Sequence, residues 1–111
     1  MSKFDEAIDK YKASMSKMSM SVDEDLLKKV AKALGPSIYN ADAAMVSCSD
    51  KEELARVKER FLIKKLGMAD SPKLDEAISA VCQEMGTSNR QKHRAVFNYL
   101  LVKKLGQESK L

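Results

Sequence analysis

A chain of 111 residues, 44% hydrophobic and 32% charged, has the length of one domain and enough interior to hold a core without disulfides or metal. Few aromatics (5%), no Trp, four Gly and two Pro argue against strands; no apolar run approaches the roughly 20 residues of a membrane span; and the opening MSKFDEAIDKYK lacks the apolar segment of a signal peptide. The net charge of +4 is unevenly spread: residues 1–47 carry seven basic and seven acidic side chains, 48–86 seven and eight, and 87–111 six and one.

The first helix is expected from Lys3 to Met18, with Ser2 as its cap and Phe4, Ala7, Ile8, Tyr11, Met15 and Met18 on one face. The second runs from Val22 to Leu34, opened by a Ser21/Glu24 capping box and ended by Gly35-Pro36. Residues 35–49 hold at most a short helix on which Ile38, Ala41 and Met45 share a face. The third helix is expected from Asp50 to Leu66, capped by Ser49 and Glu52, with Leu54, Val57, Phe61, Leu62, Ile63 and Leu66 apolar and Gly67 closing it. Pro72–Met85 forms the fourth, with Pro72 in the first turn and Leu74, Ala77, Ile78, Val81, Cys82 and Met85 as its stripe. The fifth begins after Ser88 and ends at Leu105 before Gly106. The fold class is therefore all-α: a single domain over residues 1–111, built from five helices with a short sixth as an option.

Two helix endings are near-copies, LIKKLG (62–67) and LVKKLG (101–106), and KFDEAI (3–8) is echoed by KLDEAI (73–78). Either the segments 22–67 and 73–106 are a duplicated helix hairpin, or both converged on lysines that complement a helix dipole before a glycine cap.

Candidate chemistry is sparse. Cys48 and Cys82 form no CxxC pair, and in a reducing compartment they are expected to be free thiols. Cys82 then packs in an apolar stripe, and a nucleophilic pair would need Cys48 to meet His93, the one histidine. Met15, Met18 and Met20 have a spacing that soft Cu(I) accepts, but they also extend the apolar face of the first helix. The acidic pairs Asp5/Glu6, Asp23/Glu24/Asp25, Glu52/Glu53 and Asp75/Glu76 sit in first turns, where the dipole accounts for them. No catalytic residue, cofactor or metal is expected.

VCQEMGTSNRQKHRAV (81–96) resembles the helix-turn-helix of bacterial repressors, with Cys82, Gly86 and Ser88 at the small, turn and cap positions. The resemblance implies that Asn89, Arg90 and His93 face base edges, with Lys92 and Arg94 near phosphates; Lys103 and Lys104 would extend the basic surface. Lys92 stands where that motif wants a buried aliphatic residue, and Thr87 where Val or Ile is usual. Through KFDEAIDKYK and the KKLG endings the whole chain is similar to a small all-helical bacterial family of unknown function. That likeness implies a compact cytoplasmic helical array and transfers no catalytic residue. The expected function is a non-enzymatic protein-interaction module, with a protein partner or a second copy of the chain; the alternative is a nucleic-acid binder using the basic helix 88–105. A contiguous exposed surface of Arg90, Lys92, Arg94, Lys103 and Lys104 favours the alternative, and pairing of those cations with carboxylates of the earlier helices counts against it. No membrane partner is expected.

Overall fold

Residues 95–102, AVFNYLLV, carry few groups that seek water, and the helix they form is enclosed on every side. The computed structural model describes residues 3–40, 45–86 and 92–111. Its α-helices are α1 (Lys3–Lys17), α2 (Glu24–Leu34), α3 (Lys51–Arg56), α4 (Pro72–Met85) and α5 (Arg94–Leu105). A π-helical segment, Val57–Lys65, continues directly from α3, and 3-10 turns occupy Gly35–Tyr39 and Glu108–Lys110. Among the described residues there is no strand, only one isolated antiparallel bridge between Met45 and His93. The expected all-α class is the class found.

In α5, Ala95, Val96, Phe97, Asn98, Tyr99, Leu101 and Val102 are all buried. A helix apolar around its whole circumference must be surrounded. The main packing partners of α5 are α2 and α4, with α1 covering a further side. Each of these lends a stripe: Ile8, Tyr11 and Met15 from α1; Leu26, Leu27, Val30 and Ala31 from α2; and all six expected positions of α4. Met15 is fully buried, and Met18 and Met20 pack against the core, so the methionine spacing serves packing.

Several boundaries differ from expectation, each for a local reason. α2 and α3 are capped by carboxylates one or two residues after the expected serines. Asp23 accepts from the Leu26 amide, and Asp50 accepts from those of Glu52 and Glu53. A full negative charge at the positive end of the helix dipole outdoes a neutral hydroxyl. Ser71 precedes α4 without a side-chain cap bond. The fifth helix starts at Arg94, because the bridge from Met45 to His93 and a 2.8 Å bond from the Val46 amide to the Lys92 carbonyl hold 92–93 out of helical geometry. Residues 87–91, and with them Ser88, Asn89 and Arg90, lie outside the described residues, as do Ser2 and Ala41. The option of a short sixth helix becomes the 3-10 turn at Gly35–Tyr39, entered through Gly35 at φ +66°; a Cβ there would meet no neighbour, so it is the backbone sign that wants glycine.

The single helix expected over Asp50–Leu66 instead changes winding at Val57. Its buried residues are Val57, Phe61, Leu62 and Leu66. Nine residues make about two and a half α-helical turns, so α winding would turn Val57 and Leu66 to opposite faces. Winding with i→i+5 bonds takes about four to five residues per turn and puts both on the core side. The Leu66 amide accordingly donates to the Phe61 carbonyl at 2.9 Å. The second near-copy, at the end of α5, keeps α winding and closes on Gly106 in the left-handed region.

The two cysteines are not free thiols. Cys48, in the turn before α3, is disulfide-bonded to Cys82 of α4, with Cα atoms 6.0 Å apart. The expectation rested on the missing CxxC motif, whereas the chain brings together residues separated by 34 positions. In the chain-entropy picture closure of such a loop contributes about 4 kcal/mol. Nearby, Lys58 bonds Asp70 at 2.8 Å and Asp75 at 3.0 Å, fastening the π-helical segment to the start of α4.

The Tyr99 hydroxyl, inside the core, accepts a 2.8 Å bond from the Asp23 amide, tying the cap of α2 to α5. Tyr99→Phe is expected to leave that amide unpaired and lower unfolding free energy by about 1–2 kcal/mol, read as a shift of the denaturant midpoint at unchanged slope.

Candidate functional site

The π winding that buries Val57 and Leu66 has a second effect, on the other side of the same segment. Arg56, Arg60 and Lys65 come to one face, where α winding would have set Lys65 about half a turn away from Arg56. These three cations rim a cavity of about 310 Å³. Ala33 and Leu34 of α2 form one wall, Glu53 of α3 and Val57 and Phe61 another, and Arg94 and Asn98 of α5 close it. Helical segments of this wide winding recur at functional sites in proteins generally.

Glu53 organises the charge. Its carboxylate accepts from Arg56 at 3.0 Å and from Arg94. The Glu53 and Arg94 side chains are 14% and 17% exposed, so this pair is largely shielded from screening. Burial pushes the Glu53 carboxyl up, but the hydrogen bonds from Arg94 and Arg56, with their charges, outweigh it and hold the group below the usual carboxylate range. One carboxylate thus faces four cations, and Arg60 and Lys65 form no ion pair among the described residues. At the closed side, Asn98 is 1% exposed and its Oδ1 is the buried side-chain polar atom that lacks a hydrogen-bond donor among the described residues. A second concavity, of about 410 Å³, shares Ala33 and Lys65 with the first and adds Lys29, Lys32 and Lys110. The basic surface therefore runs on from the cleft along α2 to the C-terminal turn.

The residues expected to contact nucleic acid are mostly elsewhere or otherwise engaged. Lys92 and His93 are buried, at 4% and 5% exposure. Arg94 is bonded to Glu53, Lys104 pairs with Glu84 at 2.7 Å, and Lys103 is exposed. Asn89 and Arg90 lie outside the described residues. His93 packs its ring 5.2 Å from that of Tyr11, beside a different cavity of about 540 Å³ that Lys10 and Tyr39 also line. Cys48 is bonded to Cys82, so it forms no nucleophilic pair with His93.

The cluster was missed because an α-helical projection pairs Arg56 with Arg60 but turns Lys65 to the other side, and Glu53 because a first-turn acid needs no other explanation. A signal was present in the sequence: the apolar residues Val57, Phe61–Leu62 and Leu66 recur every four to five residues, a spacing that suits wide winding better than an α-helix.

Fold and cleft together define a small all-helical domain with one strongly basic concave face. The chain belongs to the family described as protein of unknown function (DUF2853), which matches residues 10–109. The expected likeness to a small helical family without known function holds at that level. No curated protein matches the chain. No described helix is long and apolar enough to cross a membrane.

Two outcomes follow from these geometries. Burial, and then the charge of Lys10, hold the His93 imidazole below its ordinary value of 6.5. The unfolded chain therefore takes up a proton that the folded chain resists. This contribution to stability is complete above about pH 6.5 and is lost as pH falls from there through the lower folded value. His93→Gln is expected to flatten that slope in denaturant midpoints measured between pH 7.5 and 5, values chosen to bracket about 6.5. Glu53→Gln leaves the largely buried Arg94 without its counter-charge and is expected to destabilise by about 2–4 kcal/mol, against less than about 1 kcal/mol for Glu52→Gln on the exposed side of the same turn.

Proposed function

We propose that this protein is a non-enzymatic interaction module whose docking point is the cleft between α2, the π-helical segment and α5, and whose partner is a protein segment rich in carboxylates. The observation that carries the reading is the excess of cations over the single carboxylate Glu53 around a concave floor. A carboxylate arriving there meets Arg60 and Lys65, which form no ion pair among the described residues, beside an Arg94 already oriented by Glu53. The neighbouring lysines 29, 32 and 110 extend the attraction along an extended chain. Partner recognition by charge also suits a described surface on which Tyr39 is the one large exposed apolar residue, so apolar adhesion has little material to work with.

Nucleic acid is attracted to basic surfaces as well, but sequence-tolerant binding of single strands wants exposed aromatic platforms beside the cations, and the aromatic ring at this cleft, Phe61, is buried. Readout of a duplex wants a helix whose polar residues enter the major groove, whereas α5 is enclosed.

Titration with a labelled Glu/Asp-rich peptide, followed by fluorescence anisotropy, tests the reading. Binding that weakens steeply with salt, and about tenfold further in the Arg60→Ala/Lys65→Ala double variant, is expected, with Lys103→Ala as the silent control. Tighter binding of a single-stranded oligonucleotide of equal charge, or a double variant that binds the peptide as well as the native chain, sinks it.

A further inference from the structure

Between Val46 and Val57, both buried, no side chain from Ser47 to Arg56 is buried. That stretch includes all of α3, and α3 carries Glu53 and Arg56 of the cleft wall. Leu54 and Cys48 pack against the core only in part, so apolar burial holds this stretch less firmly than it holds the other helices. Its other attachments to the body are the Glu53–Arg94 pair and the Cys48–Cys82 disulfide. The disulfide is open to attack: Cys48 is only partly buried, and both cysteines line a surface cavity of about 380 Å³ that Lys51 and Lys58 also face. Segments with few buried contacts are the ones that open locally while a core stays folded.

We propose that Cys48 and Cys82 form a reversible dithiol/disulfide centre that locks α3 onto α4 when oxidised and releases it when reduced, setting the shape of the cleft wall. The effect on ligand rests on the cleft reading above; the release of α3 does not. The reductant is a small dithiol or a dithiol protein. One of its thiolates attacks the more exposed Cys48 sulfur. The bond between the two protein sulfurs breaks, and its electron pair leaves on the Cys82 sulfur, which takes up a proton. The second thiol of the reductant then attacks the mixed disulfide, expels Cys48 as a thiolate that is protonated in turn, and leaves the reductant as a disulfide. The protein gains two electrons and two protons. Lys51, which lines the same cavity and forms no ion pair among the described residues, favours the thiolates formed on the way, while Lys58 there is engaged with Asp70 and Asp75. After reduction the Val46 amide bond to Lys92 and the burial of Val57 still hold the two ends of the stretch, so the change is confined between them.

Hydrogen exchange read by mass spectrometry decides the matter, on the oxidised chain, the chain reduced with dithiothreitol, and the Cys48→Ser/Cys82→Ser double variant. A mass gain of two hydrogens on reduction first establishes the bond, and its absence overturns the proposal. Expected is exchange from 47 to 57 about tenfold or more faster in both forms that lack the bond, an acceleration well beyond the one that the general loss of stability brings to 95–102, and recovery on re-oxidation. Identical exchange in oxidised and reduced protein would show that the Glu53–Arg94 pair alone holds α3, and overturns the lock. Acceleration in α5 as large as that over 47–57 makes the bond a staple of the whole fold and overturns it equally. Peptide affinity is expected to fall several-fold on reduction. Opening of 47–57 with no peptide binding in either form upholds the lock and rejects the cleft reading instead.

Discussion

The enclosure of α5 is the constraint on which the other elements depend. A helix with Val96, Phe97, Tyr99, Leu101 and Val102 spread around its circumference cannot rest one face on a layer and expose the other. It has to be the centre, and α1, α2 and α4 are placed by the need to cover it. Its one deeply buried hydroxyl also reaches out, through Tyr99, to fix the cap of α2. The basic residues near it are consequently confined to its two ends, where Arg94 turns to Glu53 and Lys104 to Glu84.

The change of winding at Val57 is a second consequence of burial. Val57 and Leu66 both have to face the core, and they are spaced too widely for an α-helix to allow it. Wide winding solves the packing problem, and the outer face of the same turn then gathers Arg56, Arg60 and Lys65. Charges brought together in this way repel one another. Glu53 offsets part of that repulsion, and its depressed pKa records how strongly the two guanidinium groups favour its ionised form. Arg60 and Lys65, which form no ion pair among the described residues, are the cations on which the proposed recognition of an anionic partner rests.

The short α3 is the least buried of the helices and yet supplies the group that orders the cleft. It is held by a covalent bond to α4, by one ion pair and by the partial packing of Leu54 against the core. Most of the apolar burial lies with the enclosed helix and its partners, while α3 beside them buries no residue fully.

The apolar stripes of α1, α2 and α4 could be read from the amino-acid sequence, because one-sided helices announce themselves by period, and so could the all-α class and the glycine endings at 35, 86 and 106. α5 was legible as a helix but not as the centre, since its basic ends drew attention from the uninterrupted apolar middle. The winding of 57–65, the meeting of Arg56 with Lys65, the bridge from Glu53 to Arg94, 41 residues away, and the bond from Cys48 to Cys82 were settled only in the folded chain. Local pattern reports which side chains avoid water. Which distant groups then come to touch depends on how the enclosing helices close around α5, and no short window of sequence contains that information.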